Sequence, residues 1–252
     1  MKCKNHSKSI KFQYICRSCC FVNSVSLIMG LFIAFLIILC WGAHLFYMLL
    51  FQPVDMLDVW FWVHIVLQSW LFTGLFITAH DAMHGTITSN KSLNNFLGFF
   101  TTLLFAGMWY PNLLRNHKLH HINVGTNNDP DYFVGHQHFF VWWYSFMKHY
   151  ITLWQMLIMA VLFNIGLLYF SEIQLLTLWV LPSIVATFQL FYFGTYLPHH
   201  LPHTSEMEPH KARSQKRNHL WAMLSCYFFG YHYEHHASPK TPWWKLYQLK
   251  VK

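Results

Sequence analysis

The chain has 252 residues, 55% of them hydrophobic and only 10% charged, with a formal net charge of +8. A water-soluble domain carries about 25% charged residues, so a shortfall this large excludes a surface that faces water throughout. The 17 Lys and Arg residues are scattered between apolar runs rather than gathered on one face with interleaved aromatics; that pattern argues against a nucleic-acid partner and for membrane topology.

The first twenty residues hold five basic side chains and the cluster Cys16-x-x-Cys19-Cys20. Structural zinc would want a second cysteine pair. Without one, free thiols or lipidation are the better reading, and nothing suggests a disulfide framework. Residues 21–51 then form an apolar run long enough to cross a bilayer core and far longer than the apolar region of a signal peptide. Further spans are predicted at 59–79, 151–170 and 174–197. The expectation is an all-α integral membrane fold with four transmembrane helices. It forms a single domain over 1–252, because no linker, repeat or low-complexity tract divides it.

Two apolar stretches do not fit as crossings. Leu93 to Tyr110 is nearly long enough, but a crossing there would separate the histidines at 80–84 from those at 117–121. It is predicted to be a re-entrant or in-plane helix pair, bent at Gly98 and Gly107. Leu220–Phe229 is too short to cross. The connections Gln52–Asp58 and Ser171–Glu172 carry no Lys or Arg, so all 17 basic residues fall on the opposite side. The positive-inside rule makes that side the cytoplasm. Both termini, residues 1–20, and the regions 80–150 and 198–252 are placed there.

Placement of the 19 histidines says more than their number. His80 and His84 form an H-x3-H pair at the end of the second span. His117, His120 and His121 form an H-x2-H-H cluster, repeated by His232, His235 and His236. On a helix, positions i, i+3 and i+4 share a face, so each triplet presents three imidazoles in one patch. Eight imidazoles are too many for one metal ion and suit two. Imidazole disfavours Mg and Ca, and a closed zinc site wants four ligands, often with cysteine. The H-E-x-x-H and Glu-x-x-His motifs are absent, and nine acidic residues cannot build a carboxylate-rich site. A histidine-rich pair of non-haem Fe ions working with O2 is the reading that remains.

His199, after Pro198 at the end of the fourth span, is placed to supply a ninth ligand; His203 is the weaker alternative and His200 is read as an outer or solvated residue. Asp81, Glu234, Asp129 and Asp131 are expected to orient ligand imidazoles from behind, with turn chemistry as the competing reading for Asn128-Asp129-Pro130-Asp131. Within the spans, His44 and His64 read as polar residues bonded inside the bundle, with a haem between them as the alternative. The remaining histidines, including His136, His138, His149, His210 and His219, read as interfacial or loop residues.

Several strings around these clusters resemble the bacterial β-carotene ketolases of the membrane fatty-acid desaturase and hydroxylase superfamily. They are Phe76-Ile-Thr-Ala-His80-Asp-Ala-Met-His84-Gly85, Gly125-Thr-Asn-Asn-Asp129-Pro-Asp131-Tyr132, Phe193-Gly-Thr-Tyr-Leu-Pro-His199, Gly230-Tyr-His232-Tyr-Glu-His235-His236 and Pro242-Trp243-Trp244-Lys245-Leu246. One departure is His200, where the family usually has arginine. The resemblance implies oxidation of ring carbon 4 of β-carotene to a ketone through two hydroxylations and loss of water. The enzyme would sit in the cytoplasmic membrane, with lipid around it and electrons from a reduced ferredoxin-like donor. Lys211, Arg213, Lys216 and Arg217 read first as ordinary positive-inside anchoring, with docking of that acidic donor as the alternative. Trp60, Trp62, Trp70, Phe72 and Phe76 either wall a substrate channel or face lipid and core. Competing functions are a carotenoid hydroxylase or acyl-lipid desaturase sharing the centre, and a histidine-lined metal transporter.

Overall fold

The apolar runs of the sequence become long helices, and the breaks between them fall where capping chemistry stops a helix. A computed structural model describes residues 24–250 apart from 136. The N-terminal basic residues, Cys16, Cys19, Cys20 and His136 lie outside the described residues. Helix α1 runs Ser24–Phe51. Helix α2 (Val59–His84) starts at Asp58, whose carboxylate accepts from the Trp60 N–H, and stops at Gly85 in the left-handed region (φ 67°).

Helix α3 (Lys91–Ala106) is capped by Asn90 and ends at Gly107 (φ 65°); α4 (Tyr110–Asn123) follows with proline in its first turn. The two meet at 101°. The bend therefore sits at Gly107, where a positive φ suits glycine. Gly98 does not bend the chain. It lies inside α3, where an added Cβ would run into the Tyr110 ring, so its small size lets α4 fold back against α3.

Helices α5 (Phe139–Tyr150) and α6 (Leu153–Gly166) are also joined by a sharp bend, of 88°. The predicted span 151–170 is thus helical only over Leu153–Gly166, about 21 Å at 1.5 Å per residue. Helix α7 (Glu172–His199) is longer than the predicted 174–197 and contains two π segments, Leu175–Val180 and Tyr192–Tyr196. Short helices α8 (His219–Cys226) and α9 (His232–Ala237) complete the fold. Among the described residues there is no strand, only an isolated bridge between Ser214 and Tyr231.

Among the described residues three helices, α1, α2 and α7, are long and apolar enough to cross a membrane, and the bent pairs raise the number to as many as five. Helix α2 is the central member. From Leu71 to Met83 nearly every side chain is buried, while α1 turns Phe32, Phe35, Phe46 and Leu50 outward. Large exposed apolar side chains on one helix face are what lipid contact produces. Of the aromatics singled out from sequence, Trp60 and Trp62 are exposed, Phe72 is buried in the core, and Trp70 stacks on Tyr227 at 4.3 Å.

Between α1 and α2, His44 Nε2 lies 3.0 Å from His64 Nδ1, His44 Nδ1 lies 2.5 Å from Gln68 Oε1, and the Gln68 amide donates to the Trp41 carbonyl at 3.4 Å. The two rings are 5.3 Å apart, which leaves no room for a porphyrin between them. The pair is a polar network bonded inside the bundle.

Candidate metal centre

Four helix ends converge on one point. Helix α2 delivers His80 and His84 from its last turns, α4 delivers His117, His120 and His121 from its second half, α7 delivers His199 at its final residue, and α9 delivers His232, His235 and His236. The elbow at Gly107 turns α4 back beneath α2, bringing together histidines that are more than thirty residues apart. All nine side chains predicted from sequence meet here.

They sort into two groups. His80, His84, His117 and His235 have ligand nitrogens within 4.8 Å of one another, as do His120, His199, His232 and His236. His121 stands between the groups: its Nε2 is 3.1 Å from that of His117 and 3.0 Å from that of His235, and its ring is 4.3 Å from the His236 ring. Nitrogen–metal bonds are about 2.0–2.1 Å, so four nitrogens at these separations can surround a common ion.

The donor chemistry fits a metal in each group. Nε2 atoms crowd together at 2.7 Å (His84 and His117), 3.2 Å (His120 and His236) and 3.1 Å (His232 and His236). Both ring nitrogens of His80, Nε2 of His199 and Nδ1 of His232 are buried without a hydrogen-bond partner. Buried polar atoms left unpaired are costly; a shared cation would remove that cost for Nε2 of His199 and for one nitrogen of His80, whereas Nδ1 of His232 lies on the far side of a ring whose Nε2 faces His236. Burial, and then neighbouring imidazoles, hold His232, His235 and His236 well below the usual histidine value. They are therefore neutral, the form that ligates metal.

The acids behave differently from one another. Asp129 is buried in the turn after α4 and receives His120 Nδ1 at 2.9 and 3.1 Å, together with the backbone N–H groups of Gly125 and Asp131, both at 2.9 Å. Burial opposes its charge, but the His120 bond and those N–H groups outweigh burial and hold its carboxyl below the usual range. Asp131 lies 3.9 Å from the same nitrogen and instead accepts from the Tyr150 hydroxyl; burial pushes it upward. Asp81 turns its carboxylate to the Trp243 N–H at 3.3 Å, with His80 Nδ1 3.9 Å away. Glu234 accepts from the Ser214 hydroxyl at 2.9 Å and makes no hydrogen bond to a histidine.

His199 Nδ1 donates to the Lys211 carbonyl at 2.9 Å, leaving Nε2 for the centre. His203 points at the His199 carbonyl and His200 stacks on Tyr196, so neither enters a group. The basic run splits. Arg213 is turned inward onto the carbonyls of His200 and Pro202, and Lys211 reaches the Gly125 carbonyl. Lys216 and Arg217 remain exposed.

An apolar cleft opens onto the centre, with Phe76, Phe105, Phe146, Leu190, Phe191 and Phe229 on its walls and His80, His117, His120 and His232 at its end. Of the five aromatics considered from sequence, only Phe76 lines it. Thr195, Gln155 and Tyr150 also line it and were missed. Thr195 was within reach by counting back one helical turn from His199; Gln155 and Tyr150 carried no signal.

Comparison with known proteins follows the same direction. The model of the fatty acid desaturase family matches residues 58–157 and 147–252. A zeaxanthin 4-ketolase of Chlamydomonas reinhardtii is 44% identical over 71% of this chain and 41% of that protein. A β-carotene ketolase of Paracoccus sp. (strain PC1) is 37% identical over 71% of this chain and 74% of that protein. The β-carotene 4-ketolase 3 of Haematococcus lacustris is 40% identical over 73% of this chain and 60% of that protein. The match thus covers less than half of the Chlamydomonas protein and about three quarters of the Paracoccus one. No solved structure matches.

Proposed function

The chain belongs to the fatty acid desaturase family and, within it, to the β-carotene ketolases, and from that premise we propose that it oxidises carbon 4 of the rings of β-carotene to a ketone. The observation that carries the reading is the joining of an apolar cleft to two four-histidine groups. A carotenoid ring offers nothing but hydrocarbon to grip. A site for it therefore needs shape and dryness, which the aromatic walls provide.

His80, His84, His117 and His235 would hold one iron and His120, His199, His232 and His236 the other, with His121 standing between the groups. Bound there, reduced iron supplies the activation of O2 and the removal of hydrogen from an unactivated CH2. The protein's own part is to aim the imidazoles and, by burial, to hold His232, His235 and His236 neutral. Asp129 fixes the His120 ring, and the Lys211 carbonyl fixes His199. Phe229 lies against both His80 (4.8 Å between rings) and His232 (5.2 Å), closing the cleft wall beside the ligands. Excluding water there protects the reacting carbon from side reactions.

Each oxidation takes two electrons, supplied by an acidic ferredoxin-like carrier. Lys216 and Arg217, the exposed part of the basic run, are its docking charges; turnover that is insensitive to salt in the presence of such a carrier would rule that out. The chain crosses the cytoplasmic membrane four times, by α1, α2, the stretch through α6, and α7, with α3–α4 and α5 along the cytoplasmic interface. The bends of 101° and 88° support this arrangement. Single cysteines introduced at Leu57 and Asn128 test it: an impermeant thiol reagent outside the cell should label the first and spare the second.

Expression in cells that accumulate β-carotene tests the activity. Echinenone and canthaxanthin are expected. Zeaxanthin as the product would make the protein a hydroxylase, and unchanged pigment with electron supply intact would remove both readings. A metal transporter would place its ligands near the bilayer midplane on broken helices, whereas these groups sit where α2, α4, α7 and α9 end or begin.

A further inference from the structure

Seven threonines of the described residues lie inside helices, and six of them back-bond to a carbonyl one turn earlier. Thr73 donates to Ser69, Thr78 to Gly74, Thr101 to Leu97, Thr102 to Gly98, Thr177 to Ile173 and Thr187 to Ile184, all at 2.6–3.1 Å. That is the ordinary fate of a threonine hydroxyl in an apolar helix. Thr195 is the exception. It lies in the π segment Tyr192–Tyr196, is 7% exposed and lines the cleft, and its hydroxyl has no hydrogen-bond partner within the described residues. A hydroxyl in that position is available to a guest in the cleft. Single π turns in helices frequently mark functional sites.

Its place along α7 says which part of the guest it meets. Thr195 stands four residues before His199, about 6 Å along the helix axis, on the cleft side of one metal-binding group. Beside it, Gly194 gives its space to the Phe229 ring. Phe191 and Phe229 line the cleft on either side of it in the chain, so Thr195 brings a polar hydroxyl to a largely apolar wall one turn from His199.

Resting on the function proposed above, we infer that Thr195 hydrogen-bonds the C4 hydroxyl of the half-oxidised ring and thereby holds it for the second oxidation. In the first round, C4–H becomes C4–OH as one O2, two electrons from the reduced carrier and two protons are consumed and one water is released. The C4 alcohol is then either lost to the membrane or oxidised again. A second round with the same balance replaces the remaining C4–H by a second hydroxyl, and loss of water leaves the ketone. Unsubstituted β-carotene offers Thr195 no partner, while the alcohol does. The residue therefore acts selectively on the second round and separates a ketolase from a hydroxylase. It is a positioning residue for the second oxidation.

Thr195→Val, which keeps the shape and removes the hydroxyl, is tested with Thr195→Ser in cells that accumulate β-carotene. The Val chain should raise the ratio of 4-hydroxy to 4-keto pigment about fivefold or more, as expected for one lost hydrogen bond, and Ser should restore it. An unchanged ratio in the Val chain overturns the inference and leaves the ketolase reading intact. A wild-type chain that forms no ketone overturns both. Should the Val chain not accumulate, membranes of the wild type decide: the KM for a 4-hydroxylated carotene should lie about fivefold below that for β-carotene, and an equal or higher KM refutes the role.

Discussion

His120 and Asp129 are joined so that each fixes the other: the ring's Nδ1 lies 2.9 Å from one carboxylate oxygen and 3.1 Å from the second, while Nε2 faces His236 at 3.2 Å. The carboxylate selects the tautomer with its proton on Nδ1 and leaves Nε2 as the lone pair offered to the centre. Each oxygen of Asp129 also takes a backbone N–H, one from Gly125 and one from Asp131. An amide in its place cannot satisfy this arrangement, because either orientation sets an NH2 group against an N–H. Asp129→Asn should therefore weaken iron binding about 10–100-fold, the usual cost of losing such an outer partner. Iron retained by the purified protein across a chelator titration measures it, and a wild-type curve would show that the carboxylate does not tune the site.

Ligand removal should act by group. With His235 replaced by Ala, one group keeps three imidazoles while the other keeps all four; His120→Ala leaves the reverse. Each variant is expected to lose activity and to fall from two irons per chain toward one. Elemental analysis beside protein quantitation reads this directly. Two irons and full activity in either variant would take that residue out of the ligand set.

Eight of the nine histidines were legible because imidazoles, rather than the apolar side chains that core packing puts there, recur at helical spacing: i and i+4 in the pair, then i, i+3 and i+4 in each of two triplets more than a hundred residues apart; His199 was legible only from its place at the end of a span. The long spans were legible from apolar length. The bends were not fully so. Gly107 and Gly98 look alike as letters, yet one supplies a positive φ and the other only the absence of a Cβ beneath Tyr110. The acids were equally ambiguous. Asp81 is adjacent to His80 in sequence and Asp129 stands eight residues after His121, yet only Asp129 meets a histidine ring within hydrogen-bond distance, because the turn after α4 folds it back. The cleft was invisible, since its walls come from α2, α3, α5 and α7 and no local pattern marks a cavity.

Acid should destabilise the iron-free protein. His232, His235 and His236 are held well below the ordinary histidine value by burial and by one another. Below about pH 6.5 the unfolded chain takes up protons at these positions and the folded chain does not. Stability is thus complete above that pH and is lost as the pH falls, by up to a factor of ten in the folding constant per histidine per pH unit. Thermal unfolding of chelator-treated protein in detergent, followed between pH 7.5 and 5.5, should show a falling midpoint. A flat or rising midpoint would mean that these rings accept protons in the folded state.

The packing of α3 on α4 supplies a separate lever on the same centre. Gly98 lies under the Tyr110 ring, and Tyr110 is only 2% exposed. In an isolated helix, Gly→Ala would stabilise by about 1 kcal/mol. Here the added Cβ meets ring carbons at the first residue of α4, the helix that carries His117, His120 and His121. Overpacking of this kind costs about 1–3 kcal/mol, and the ring cannot yield without shifting α4. Gly98→Ala is therefore expected to lower the unfolding midpoint and to reduce bound iron together, although it lies far along the chain from any ligand. Cutting the ring back in the double variant Gly98→Ala, Tyr110→Leu should recover part of both. If Gly98→Ala alone raises the midpoint and leaves iron at the wild-type level, helix propensity governs the position and α4 does not depend on that contact.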